Sequence, residues 1–343
     1  MPEHAYIKYL QPAELIEGAY QIQNCQLGQT KNGKPYLRGL LADKTGRTPM
    51  RAWNTTEEQF RGLPTDGFVY ITGQTQPYQG EMQIIVQSIR AHEPTRDELT
   101  ELIPSTKHDV DAMFAEVVKT LNTIEHPAAL ALANMYLSDG ELMDKFCQAP
   151  AAQTLHHAYL GGLLEHTLGL LRNAEALLPL YPQLSRDIVI LGLFLHDLGK
   201  CDELTWEQGF GYSTDGQLVG HIARGVIRLQ QKIDALENDP DDPVQVPADI
   251  QQVLHHIILS HHGVPEFGAL KLPATPEAIF ISMVDNLDAK MNMALSAARP
   301  DEDDAAEASG GALGGDFTEK VWALGNVKLY RPDPTADAGD TGS

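Results

Sequence analysis

Nine of the chain's thirteen histidines fall between residues 156 and 262, each in a segment apolar enough to be buried. Burying an imidazole costs free energy unless it finds a partner, so a single one reads as a hydrogen-bonded core residue. Nine in about a hundred residues read as side chains that converge. Neutral imidazoles and carboxylates projecting from several helices form a site for a divalent transition metal such as Mn, Fe, Co, Ni or Zn. Thiolates take no part: Cys25, Cys147 and Cys201 are scattered and form no CxxC, which excludes a disulfide scaffold or a thiolate zinc site and fits a reducing, cytoplasmic setting. With one or two ligands per helix, the pattern is that of a catalytic metal site.

The surrounding texture is helical. From about residue 109 apolar positions recur at threes and fours, in DVDAMFAEVVKTLNTI and later in AAQTLHHAYLGGLLEHTLGLLRNAEALL, SRDIVILGLFLHDLGK, GQLVGHIARGVIRLQQKI, ADIQQVLHHIILSHHG and TPEAIFISMVDNLDAKMNMALSAA. No strands alternate with them. Residues 109–298 therefore predict an all-α region. Residues 13–92 are different: five short β-rich runs, cut by Asn32-Gly33, Lys44-Thr45-Gly46, Asp66-Gly67 and Gln79-Gly80, with a helix at TTEEQFRGLP between the third and fourth. That outline predicts an OB-fold-like β-barrel, another small barrel or sandwich being the alternative. Residues 1–12 read as an extension and EPTRDELTELIPSTKH (93–108) as the linker. Residues 299–343 form an acidic, Gly/Ala-rich and largely flexible segment, with KVWALGNVKLYRP docking back through Trp322 and Leu329.

The net charge of -22 excludes a protein that coats polyanions by bulk electrostatics. The charge is uneven, however: residues 1–100 carry 10 basic and 11 acidic side chains, so a local basic groove can exist there. A barrel that binds single strands needs aromatic platforms and cations. Tyr36, Trp53, Tyr70 and Tyr78 supply the first, and Lys34, Arg38, Arg47 and Arg51 the second. No basic-then-apolar leader opens the sequence, and no run approaches 18 apolar residues, so no membrane association is expected.

The order His166, His196-Asp197, Asp285 resembles the H…HD…D pattern of the HD-domain metal-dependent phosphohydrolases over residues 150–298, and His221 and the pair His261-His262 resemble the subset that holds two metals. That resemblance assigns His166, His196, Asp197 and Asp285 to one ion, and Asp197, His221 and one or both of His261 and His262 to a second. Adjacent helical residues point about 100° apart, so His196 and Asp197 serve different directions and Asp197, with two oxygens, is the natural bridge. Two ions about 3.5 to 4 Å apart lower the pKa of a shared water toward about 7. Lys200, at i+3 from Asp197, either reaches a substrate phosphate or is a solvated helix-end lysine. His156 and His157 either line the groove or are structural, His255 and His256 compete with the later pair as ligands, and Asp288 is expected to hold a histidine N–H.

With HHAYLGGLLEHT, HDLGK, LSHHG and VDNLDAKM following an OB-like half, the chain resembles the YhaM family of 3′-to-5′ exoribonucleases over residues 13–298. The resemblance implies an enzyme using two divalent ions, Mn being usual, that releases nucleoside 5′-monophosphates from single-stranded RNA or DNA, with homo-oligomers a further expectation. The strong acidity and the DEDDAAEASGGALGG insertion depart from it. A small-molecule nucleotide phosphohydrolase or cyclic-dinucleotide phosphodiesterase on the same scaffold would leave the barrel unexplained, and the sequence lacks the GYP element of the latter. A non-catalytic nucleic-acid-binding protein would leave the full ligand set unexplained.

Overall fold

The computed structural model describes residues 4–30, 32–78, 81–152, 157–206, 209–299 and 316–332. Five strands, β1 (Leu15–Gln29), β2 (Pro35–Asp43), β3 (Gly46–Trp53), β4 (Gly67–Tyr78) and β5 (Glu81–Ala91), close a barrel in the order β1-β2-β3-β5-β4. Only β3–β5 is parallel. This is the predicted OB-like barrel, with α1 (Glu57–Arg61) between β3 and β4, opened by a Thr56–Gln59 capping box. Alternate residues point inward, so Tyr20, Ile22, Leu37, Leu41, Met50, Ile71 and Ile84 fill a fully buried core. The fifteen-residue β1 pairs with β4 along its first half and β2 along its second. A register shift between Gln23 and Gln26, with Asn24 at φ 53°, turns the strand from one partner to the other.

Two segments expected to lie outside the barrel are part of its packing. Leu10 is buried in the barrel core, Tyr20 donates its hydroxyl hydrogen to Ala5 O at 2.6 Å, and Asp43 accepts the Ile7 N–H at 2.7 Å. Within the expected linker, α2 (Arg96–Leu102) is opened by a Thr95–Glu98 capping box. Its Leu102, with Ile103, is buried among Ala19 and Phe68 of the barrel, and Leu160 and Phe210 of the helical half pack on the same cluster. The linker is thus a wedge in an apolar junction.

The helical half comprises α3 (Val110–Leu121), α4 (Pro127–Leu137), α5 (Gly140–Gln148), α6 (Gly162–Leu177), α7 (Arg186–Leu195), α8 (Lys200–Glu203), α9 (Thr214–Leu218), α10 (Gly220–Glu237), α11 (Ala248–Ser260) and α12 (Pro276–Ala298). The all-α expectation holds apart from a small hairpin, β6 (Leu204–Thr205) and β7 (Gly211–Tyr212). Every residue of α7 from Ile188 to Leu195 is buried, as befits a helix that is apolar all round and sits at the centre of the core. A terminal hairpin, β8 (Phe317–Val321) and β9 (Val327–Tyr330), lies against α12. Of its two expected anchors, Leu329 is half-buried but Trp322 is 69% exposed. Thr318 is the hairpin's buried residue, and its hydroxyl accepts the Leu329 N–H at 2.9 Å, a bond within the hairpin itself. The acidic stretch 300–315 and the tail from 333 lie outside the described residues.

Candidate metal centre and nucleic-acid face

The expected single helix through HDLGK stops early: α7 ends at Leu195, and residues 196–199 form a turn before α8. His196 and Asp197 therefore stand at the mouth of the most buried helix. His221 is the second residue of α10, and His261 and His262 directly follow α11. His166 comes from early α6, Asp285 and Asp288 from α12. Most of the cluster thus sits at helix ends, where side chains can aim along a helix instead of away from it. Close backbone approach makes this possible. A Cβ at Gly199 would lie 2.0 Å from His221 O, so the glycine of HDLGK is what lets the start of α10 press onto the turn.

Asp197 is the hub. Its Oδ2 faces His196 Nε2 at 3.3 Å and His166 Nε2 at 3.9 Å; its Oδ1 faces His261 Nε2 at 3.4 Å and His221 Nε2 at 3.6 Å. Asp285 Oδ1 is 3.2 Å from His166 Nε2, on the Oδ2 side. His262 Nε2 is 3.2 Å from His221 Nε2, on the Oδ1 side. The two carboxylate oxygens therefore open onto two separate groups of ring nitrogens, as a bridging carboxylate would.

Those nitrogens are prepared as lone pairs. The Nδ1–H of His196 donates to Leu193 O at 2.6 Å and that of His261 to Ile258 O at 2.8 Å, while His166 Nδ1 meets Asp288 Oδ2 and His221 Nδ1 meets Glu203 Oε2, both at 2.8 Å. Holding the proton on Nδ1 leaves Nε2 bare for a cation. His196 Nε2, His261 Nε2 and Asp197 Oδ1 are buried with no hydrogen-bond partner. Such groups cost about 1–3 kcal/mol each when left unsatisfied, so converging acceptors of this kind fit a divalent metal and little else.

The electrostatics agree except at His166, which burial would lower but Asp285 and Asp288, one on each ring nitrogen, raise to about 9. Burial would raise the Asp197 carboxyl, but Lys200 and His196 hold it well below the usual range. Burial and the neighbouring His261 push His262 down to about 2, leaving a neutral imidazole. Burial would likewise raise Asp288, yet hydrogen bonds with His157 and His166 keep its carboxyl below the ordinary range.

The structure brings together His166, His196, Asp197, His221, His261, His262 and Asp285, with Asp288 behind His166 as expected. It leaves others out. His157, at φ 51°, spends Nδ1 on Tyr159 Oη (2.7 Å) and Nε2 on Asp288 Oδ2 (3.1 Å), so it braces Asp288. His256 Nε2 accepts the Ala274 N–H at 2.8 Å, which fastens the loop before α12, and neither it nor His255 falls in a ligand cluster. His156 lies outside the described residues. Lys200 is buried, with Nζ 2.6 Å from Asp197 Oδ2, so the reading as a solvated lysine does not hold. Two polar contacts had no sequence signal: Glu203 on His221 and Tyr159 on His157 are pairings that only the fold creates.

On the barrel, Tyr36 pairs across the strands with Trp53 and Arg38 with Arg51. The Tyr36 and Trp53 rings lie 5.2 Å apart, and the Arg51 guanidinium sits 5.9 Å from the Trp53 ring and 5.1 Å from Tyr78. Arg38 donates to Gln26 Oε1 at 2.8 Å. All five residues thus share one outward face. Tyr70 is elsewhere, packed beside the interdomain cluster with Arg90 4.5 Å from its ring.

The model of the HD domain family matches residues 163–290. Two relatives, both called 3′-5′ exoribonuclease YhaM, align along almost the whole chain. The protein of Geobacillus sp. (strain WCH70) is 32% identical over 330 residues, covering 95% of this chain and 94% of the relative. That of Halalkalibacterium halodurans is 30% identical over 334 residues, covering 95% and 96%. Among solved structures, the second OB-fold domain of replication protein A from Methanococcus maripaludis aligns with a TM-score of 0.21 and 17% identity, over 27% of this chain and 98% of that one. Barrel, HD-type ligand cluster and end-to-end similarity converge: the chain belongs to the YhaM family of 3′-5′ exoribonucleases.

Proposed function

We propose that the chain is a metal-dependent 3′-5′ exoribonuclease that shortens single-stranded RNA, and single-stranded DNA as a second substrate, to nucleoside 5′-monophosphates. It uses two divalent ions, manganese first among Mn, Co, Fe, Ni and Zn. The observation that carries the reading is the division of Asp197, one oxygen toward His166, His196 and the Asp285 side, the other toward His221, His261 and the His262 side. When bound, such an ion pair neutralises phosphoryl charge and supplies hydroxide near neutral pH. The chain's own residues do the rest. Carbonyls of Leu193 and Ile258, with Asp288 and Glu203, fix the ring orientations before substrate arrives. Lys200 balances the Asp197 charge that burial would otherwise penalise. Tyr36, Trp53 and Tyr78 offer base-stacking surfaces, and Arg38 and Arg51 meet phosphates, holding the strand upstream of the cut. This local face supplies the attraction that a net charge of -22 does not.

The test is a 5′-labelled single-stranded RNA incubated with metal-loaded protein. A ladder shortening by single nucleotides, with released 5′-monophosphates, is expected with wild type and absent with Asp197→Ala. An oligonucleotide left intact across Mn, Co, Fe, Ni and Zn would sink the proposal.

A further inference from the structure

Glu203, six residues beyond Asp197, devotes its carboxylate to one residue. Its Oε2 lies 2.8 Å from His221 Nδ1, and its Oε1 accepts the His221 backbone N–H at 3.1 Å. Ring and main chain of His221 are thus held by the same group. The clamp is itself rooted: Glu203 O accepts the Ser213 N–H at 2.9 Å, and a Cβ at Gly216 would lie 2.3 Å from that oxygen, so the backbone of Glu203 has little room to shift. His196 and His261 are oriented by main-chain carbonyls, and His166 by Asp288. His221 relies on Glu203. Its Nε2 stands 3.6 Å from Asp197 Oδ1 and 3.2 Å from His262 Nε2, on the side away from His166.

We propose that Glu203 is the positioning residue of the His221–His261–His262 half-site: it is needed for the second ion to bind and dispensable for the first. The proposal rests on the two-ion reading above. Second-layer carboxylates of this kind are worth about 10- to 100-fold in metal affinity, and Glu203 acts twice on one ligand.

The experiment uses full-length protein stripped of metal, titrated with Mn by calorimetry and assayed for bound Mn after gel filtration. Wild type is expected to take two ions. Glu203→Ala should keep the tighter event and weaken the other by about 10- to 100-fold. Glu203→Gln, which keeps the shape and one acceptor, should fall between, and raised Mn should restore its turnover on RNA. Two ions in Glu203→Ala at unchanged affinity would overturn the role of Glu203 and leave the two-ion reading intact. One ion in wild type would overturn that reading itself. Equal weakening of both events, or a metal-free Glu203→Gln that unfolds, would show a structural part and overturn the proposal.

Discussion

At the scale of single residues, the site is governed by Asp197 and its neighbours. Asp197→Asn keeps the shape but removes the charge from both half-sites, and turnover should fall by about 10^3-fold, the upper scale of losing one preorganised electrostatic group. Lys200→Met leaves a buried carboxylate uncompensated. That should cost about 3–5 kcal/mol in chelator and much less in saturating Mn, when cations take over the compensation. Parallel melting curves in the two buffers check this, and equal losses would contradict it. Gly199→Ala would drive a Cβ into His221 O and should cost about 1–3 kcal/mol while displacing His221, read as a weakened second Mn event. Here the sequence was informative in type and order but not in partnership. The resemblance to the H…HD…D pattern singles out His166, His196-Asp197 and Asp285, because that pattern specifies both residue type and order. It does not separate His255 and His256 from His261 and His262, since all four lie in one apolar stretch; in the fold the second pair passes the end of α11 and turns to Asp197 and His221, while His256 is bonded to the loop before α12. Glu203 was invisible because its partner lies 18 residues away across the β6–β7 hairpin and the short α9.

At the scale of elements, the β2–β3 face makes separable predictions. Trp53→Ala should weaken binding of single-stranded RNA by about 1–3 kcal/mol and raise KM while leaving kcat on a short oligonucleotide nearly unchanged. Arg38→Ala should lower the slope of log affinity against log salt by about one unit. Binding isotherms at several salt concentrations read both effects, and an unaltered slope would remove Arg38 from the phosphate contacts. This face was legible because strand alternation puts residues two apart on one side: Tyr36 and Arg38 on β2, Arg51 and Trp53 on β3. Where alternation is absent, the reading failed. Leu10 gave no periodic signal from its nine-residue lead-in yet closes the barrel core, and α2 is too short for periodicity to reveal that it packs on both halves. The turn at 196–199 escaped for a related reason, since HDLGK continues the apolar pattern of α7 while its backbone leaves the helix.

At the scale of the whole molecule, metal and fold are linked. Because the convergent acceptors exist only in the folded chain, Mn at 100 times its dissociation constant should add about 2.7 kcal/mol of stability per ion. Melting temperature should rise with Mn concentration and drop on chelation. The cysteines give an independent check on the packing. Burial raises the thiols of Cys25 to about 11 and Cys201 to about 12, so at pH 8 about one thiol in a thousand or fewer is ionised at either position. A thiol reagent should label the half-buried Cys147 first and reach the other two only on unfolding; rapid labelling of Cys201 in native protein would contradict the packing behind the HD turn.

The small β6–β7 hairpin leaves the site at Glu203, carries Phe210 into the apolar junction with Ala19 and Phe68, and brings Gly209 so near the barrel that a Cβ there would lie 2.3 Å from Gln21 Nε2. A helical half expressed by itself would keep every ligand named above, yet it would uncover the side of Phe210 that faces the barrel and lose the surface that steadies the loop behind His221. Trading barrels between relatives, or cutting the chain at the junction to obtain a minimal catalyst, would therefore disturb more than the grip on RNA. What looks like two modules on a string behaves, at this one loop, as a single machined part.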